Sequence, residues 1–141
     1  MKISIVKQEK YEEACMGCAW HSPIQVAGKH TVLYVTNGSS SLLLSYSIER
    51  DAANIGIALP ETTDQGPLLL DAALTKLRQL NPNVFALFTY TLDDGEADRL
   101  TCNVASFEKI GHFHKVFIDC AGIKRDVQLY CAELSRPKEG A

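Results

Sequence analysis

Apolar and polar residues alternate over positions 3–6, which predicts a short strand, and Tyr11, Ala14, Cys15 and Cys18 then recur at helical spacing within 9–20. His21-Ser22-Pro23 ends that helix, because a residue before proline is steered away from the helical region. Positions 31–36 and 41–48 are rich in β-branched and apolar residues, and Asn37-Gly38 between them favours the positive φ angles of a tight hairpin. Positions 54–59 form another apolar run, stopped by Pro60. After the polar loop 61–65, Leu70, Ala73, Leu74, Leu77 and Leu80 line one face of a helix that Asn81-Pro82-Asn83 closes. Positions 84–91 are almost continuously apolar and aromatic, the pattern of a strand buried on both faces. Strand, crossover helix and strand together predict a central parallel pair, 54–59 with 84–91.

Asp93 or Asp94 suits the N-cap of a further helix with Glu96 in its first turn, and Ala97, Leu100, Val104 and Phe107 would form its buried stripe. Gly111 suits the left-handed position after it. Two closing strands, 115–120 and 126–134, are joined by a turn at Gly122, and the alternation Val127, Leu129, Cys131 marks the second as a half-buried edge. The predicted fold class is α+β, a three-layer α/β/α arrangement around a mixed, mostly antiparallel sheet of about seven strands. A single domain covers 1–134, and 135–141 reads as a flexible C-terminal tail.

Composition narrows the function classes. The chain has 141 residues, 46% hydrophobic and 22% charged, with a formal net charge of −3, in the range of one globular domain. Its 14 basic residues are scattered rather than striped, so nucleic acid is not an expected partner. The first residues lack the apolar core of a signal peptide and no stretch is long enough to span a bilayer, so the expected location is cytoplasmic, with no membrane contact. An odd number of cysteines, 5, fits reduced thiols better than a disulfide framework.

The element order is topologically similar to the GNAT superfamily of N-acetyltransferases over essentially the whole chain. Ile57-Ala58-Leu59-Pro60 resembles the end of that family's fourth strand. Gly66-Pro67-Leu68-Leu69-Leu70-Asp71-Ala72-Ala73-Leu74 resembles its cofactor-binding helix, and Lys109-Ile110-Gly111-His112-Phe113 resembles the Gly-Phe ending after its last helix. The resemblance implies acetyl-CoA as cosubstrate and a primary amine of a small molecule or protein as acceptor. It further implies that the fourth and fifth strands splay, so that the pantetheine arm adds to the freed backbone at Ala58 and Leu59. The pyrophosphate would then rest on the segment Thr62, Thr63, Asp64, Gln65, Gly66, Pro67 and Leu68, through its backbone amides other than Pro67, with Phe107 contributed by the last helix.

Two positions differ in charge from the family's loop pattern, which runs Gln or Arg, two residues, Gly, one residue, then Gly or Ala. Glu61 and Asp64 would bring carboxylates to the pyrophosphate at about 1 kcal/mol for each close, poorly screened pair. The tyrosine that such enzymes often use as general acid corresponds to Phe107, which has no proton to give. Tyr90 is the replacement candidate for the acid, and Asp93, with Asp94 and Glu96 beside it, for the base. The alternative readings are an aromatic at a strand edge for Tyr90 and a solvated helix cap for the acidic cluster.

Cys15-Met16-Gly17-Cys18 with His21 has the spacing of three zinc ligands, but both thiols also fall on the apolar helix face, so no metal is expected. Alternation puts His112 and His114 on one side at the surface and Phe113 in the core. Cys102 is expected to be buried or incidentally exposed rather than nucleophilic. Two functional readings stand beside the acetyltransferase: a catalytically inactive GNAT-fold binding or regulatory module, and an assembly protein in which the edge strand 126–134 pairs with a second copy. A homodimer is compatible with all of them.

Overall fold

A computed structural model describes residues 1–18, 20–23, 26, 28–119 and 121–134. The tail expected at 135–141 lies outside the described residues. The elements run β1 (Lys2–Val6), α1 (Gln8–Gly17), β2 (Trp20–His21), β3 (Thr31–Thr36), β4 (Ser41–Glu49) and β5 (Ala52–Leu59). They continue with α2 (Gly66–Leu80), β6 (Ala86–Thr91), a 3₁₀ helix (Asp94–Leu100), β7 (Phe107–Ile118) and β8 (Lys124–Glu133). Among the described residues all eight strands join one sheet in the order β1-β3-β4-β5-β6-β8-β7, with β2 paired to β5 beside this path. Pairing is antiparallel except between β5 and β6, so the expected α+β class and central parallel pair are found.

The two faces of the sheet are built by strand alternation. Leu42, Leu44 and Tyr46 of β4, with Ile55, Ile57 and Leu59 of β5, pack toward α2. Leu43 and Ala58 turn the other way, toward Tyr11 of α1. Helix α2 forms because Leu69, Leu70, Ala73, Leu74 and Leu77 share one stripe, with proline in the first turn where no amide is missed. It stops at Asn81, whose backbone and side-chain nitrogens both donate to the Leu77 carbonyl. Leu80, expected on the stripe, is exposed, and Leu69 takes its place.

Four expectations are corrected. The helix predicted after β6 is only a 3₁₀ segment. Beyond Leu100 the chain is held as a loop because one carboxylate oxygen of Asp71 on α2 accepts from the amides of Asn103 (2.7 Å) and Val104 (2.9 Å). Those amides therefore have a partner outside any helix. Phe107 is consequently a strand residue, paired with Ala132, and Gly111 lies inside β7 at a register shift rather than after a helix. The closing strand β8 is inserted between β6 and β7, so 124–133 is internal and the outer edge is β7. Phe113 is 43% exposed and outside the core, while His112 and His114 do share a side, both facing Asp126 at 2.7 and 3.3 Å. Lastly, the tight hairpin at 37–40 is found, closed by the Asn37 amide on the Ser40 carbonyl, but of the positive φ angles expected at Asn37-Gly38 only Gly38 has one (95°), while Asn37 Oδ1 accepts from the amides of Ser39 and Ser40.

Gly56 is required by packing. A Cβ built there would lie 2.7 Å from the Tyr11 hydroxyl oxygen, and Tyr11 is buried at 1% exposure. Burial also pushes the Tyr11 phenol well above its usual pKa. Gly56→Ala is expected to lower stability by about 1–3 kcal/mol, as overpacking of a closed core does. Adding Tyr11→Phe should recover part of that loss, since the hydroxyl oxygen is the atom nearest the new methyl. Urea unfolding midpoints of the two single variants and the double variant check this.

Candidate functional site

The site is set by the way β5 and β6 part. They pair in parallel only through Ala52–Ala86, Ala53–Leu87 and Asn54–Phe88. The far edge of β5 is taken by β4 along its whole length, from Glu49–Ala52 to Leu43–Ala58. A strand has two hydrogen-bonding edges, so beyond Asn54 the edge facing β6 needs another partner. The chain supplies it: Trp20 pairs with Leu59 and His21 with Ala58, antiparallel. The Ser22 amide donates to the Ile57 carbonyl at 2.8 Å, and the Ile57 amide donates to Ser22 Oγ at 2.9 Å.

Trp20 also ties this short strand to the end of β6. It packs against the α2-side core, its Nε1 lies 3.5 Å from Glu96 Oε2, and the Arg99 guanidinium sits 5.5 Å from its ring centre. The other Glu96 oxygen accepts from the Leu92 amide at 3.2 Å. The helical spacing over 9–20 places Trp20 at the end of the first helix, whereas α1 stops at Gly17 and Trp20 begins this strand. A two-residue strand carries no periodicity, and the only local signal was the extended bias before Pro23.

At the mouth of the crevice, β5 gives way to the loop before α2. Ala58 and Leu59 are buried, whereas Thr62, Asp64, Pro67 and Leu68 are exposed. Thr63 Oγ1 accepts from the Gln65 amide at 3.0 Å and meets Ser40 Oγ at 2.9 Å, which fixes the loop on the β3–β4 connection. The Gln65 side chain donates to Asp64 Oδ1 at 3.1 Å. The first turn of α2 has neither a side-chain cap nor an acidic residue, and an uncapped N-terminus of this length suits an anion.

The remaining candidates fall into different surroundings. Tyr90 is half-buried on β6, paired with Leu129 and, by alternation, on the face opposite Leu87 and α2. Asp93 is the N-cap of the 3₁₀ helix, accepting from the Glu96 amide at 3.0 Å, while its other oxygen is 3.8 Å from Arg125. Phe107 packs beside the α2-side core from β7 and not from a helix. Cys15 and Cys18 do not converge with His21: the Cys18 thiol is directed to the Trp20 carbonyl at 3.3 Å and His21 Nδ1 to the Ser22 carbonyl at 2.8 Å. Among the described residues no group of three or more His, Cys, Asp or Glu side chains has the arrangement of a metal site.

The path expected for acetyl-CoA therefore has two unlike ends. The uncapped start of α2 fits phosphate oxygens, with Glu61 and Asp64 opposing them. The β5 edge does not fit an added pantetheine arm in this conformation, because residues 20–22 already occupy it.

No family model matches the sequence, and no curated protein matches it. Solved structures match the fold. The ribosomal-protein-S18-alanine N-acetyltransferase of Escherichia coli superposes with a TM-score of 0.64 at 15% identity, over 99% of this chain and 97% of that one. The ribosomal-protein-alanine N-acetyltransferase of Brucella melitensis gives 0.65 at 14% identity, over 95% and 100%. A Streptococcus mutans protein gives 0.64 at 18% identity, over 96% and 100%.

Cys102 provides a check on the loop that replaces the last helix. Burial first, and the nearby Asp71 carboxylate as well, push its thiol up to about 11. Iodoacetamide should leave Cys102 unmodified in the native protein at about pH 8 and label it faster as pH approaches about 11, read by peptide mass spectrometry. The linked stability contribution is present below the unfolded thiol's pKa and is lost as pH rises through the folded value.

Proposed function

We propose that this chain, which has the GNAT N-acetyltransferase fold, transfers an acetyl group from acetyl-CoA to a primary amine of a small molecule or protein. The observation that carries this reading is the parting of β5 from β6 beyond Asn54, with the uncapped start of α2 at the mouth of the resulting crevice. Acetyl-CoA supplies the acyl group as a thioester. The amides around Gly66 and Leu68 hold phosphate oxygens, and the crevice wall excludes water. Tyr90 holds the proton delivered to the leaving side, and Asp93 accepts the amine proton through the oxygen not used in capping.

A second reading, a GNAT-fold module without turnover, is favoured by specific features: Glu61 and Asp64 at the phosphate end, Phe107 on a strand, and a β5 edge already paired.

Calorimetric titration of acetyl-CoA, followed by an amine screen, separates the two. Micromolar binding with turnover of any amine supports the enzyme; binding without turnover, or no binding even in Glu61→Gln, overturns it and leaves the module. Glu61→Gln or Asp64→Asn alone should tighten binding by about fivefold and the double variant by about thirtyfold, since each substitution removes a repulsion of about 1 kcal/mol. Tyr90→Phe should lower kcat by roughly 100-fold with little change in affinity, as loss of a general acid does.

A further inference from the structure

We infer that residues 20–22 form a displaceable strap that closes the crevice against the acyl-CoA arm, so that binding requires the strap to leave β5. This rests on the proposed function above, and it resolves the misfit between a crevice that opens as a cosubstrate site would and an edge that the chain itself fills.

The strap satisfies β5 in the way an added extended ligand would. Ile57 is buried, and its amide and carbonyl on the crevice side are both matched by one residue, Ser22, at 2.9 and 2.8 Å. An arm carrying amide groups offers the same alternation of donor and acceptor, so exchange leaves no buried backbone group unpaired. Two features keep the strap's hold small. It is two residues of strand plus Ser22, and although Ser22 is buried and one side of Trp20 packs on the core, the polar contacts of Trp20 lie at the half-exposed rim: its 3.5 Å contact with Glu96 and the Arg99 guanidinium over its ring. These anchors sit on the 3₁₀ helix that follows β6. Release of the strap thus separates β5 from the β6 side, the opening an arm between the two strands needs.

A strap of this kind lowers apparent affinity by the fraction of molecules in which it is closed. Ser22→Ala removes the acceptor for the Ile57 amide, a net hydrogen bond worth about fivefold in the closed-to-open ratio. Arg99→Ala removes the cation over Trp20 without touching β5 and should shift the same ratio by about two- to fivefold. Trp20 is the one tryptophan of the chain, so its emission reports strap position directly.

The test titrates coenzyme A into the full chain and into both variants by calorimetry, with Trp20 emission and acrylamide quenching followed in parallel and folding checked by circular dichroism. The strap predicts a red shift and stronger quenching of Trp20 with the same midpoint as binding, and tighter binding in Ser22→Ala and Arg99→Ala by the factors given. If coenzyme A binds while Trp20 emission stays fixed and both variants bind as the parent does, the strap is overturned and the acyltransferase reading stands. If no form binds coenzyme A, that reading fails and the strap falls with it. Should Ser22→Ala not fold, Arg99→Ala and the Trp20 signal of the parent chain still decide between these outcomes.

Discussion

A buried strand must pair both of its edges, and in this fold that requirement falls on β5. Burial of Ile55, Gly56, Ile57 and Ala58 leaves no water to receive an unpaired amide. Divergence of β5 from β6 after three paired residues therefore cannot be left as an open seam. The segment after α1 is drawn into it, and the serine hydroxyl of Ser22 takes the place of a backbone carbonyl. The architecture of the crevice and the path of residues 20–22 are thus one problem with one solution.

The same helix that opens the mouth also holds the far side. Asp71, on the second turn of α2, gathers the amides of Asn103 and Val104 with a single oxygen. This brings Leu100 and Ala105 into the core beneath α2 and gives Cys102 a position where ionisation is unfavourable. The carboxylate takes the role that several further helical turns would have played, which is why a short 3₁₀ segment suffices between β6 and β7.

What was legible in the sequence followed from periodicity. The runs 31–36, 41–48 and 54–59, the stripe of α2 and the crossover to β6 were visible because each buries a repeating pattern against one face. The expected resemblance in topology follows from these elements. The helix over Leu100, Val104 and Phe107 was misread because its spacing is helical, while the deciding interaction comes from Asp71, some thirty positions away in the chain. Likewise the alternation in 124–133 is the same whether that strand is an edge or an interior one; only its pairing to both β6 and β7 decides. At the site, Asp93 was legible as a cap, and Ala58 and Leu59 as the end of a buried strand. The partner of their open edge was not, since two residues hold no period.

The outer strand β7 leaves Ile110, Val116 and Ile118 exposed on an edge that no described strand pairs, the arrangement that invites one copy to extend the sheet of the next. Its middle resists this. Lys115 adopts a positive φ of 48° within the register shift between Phe113 and Phe117, and its amide turns to Asp126 instead of outward. The edge is thereby broken into the runs 107–113 and 117–118. A strand adding from outside would meet this break and could not pair along the whole of β7, so the irregularity shortens the ladder that a second copy could extend.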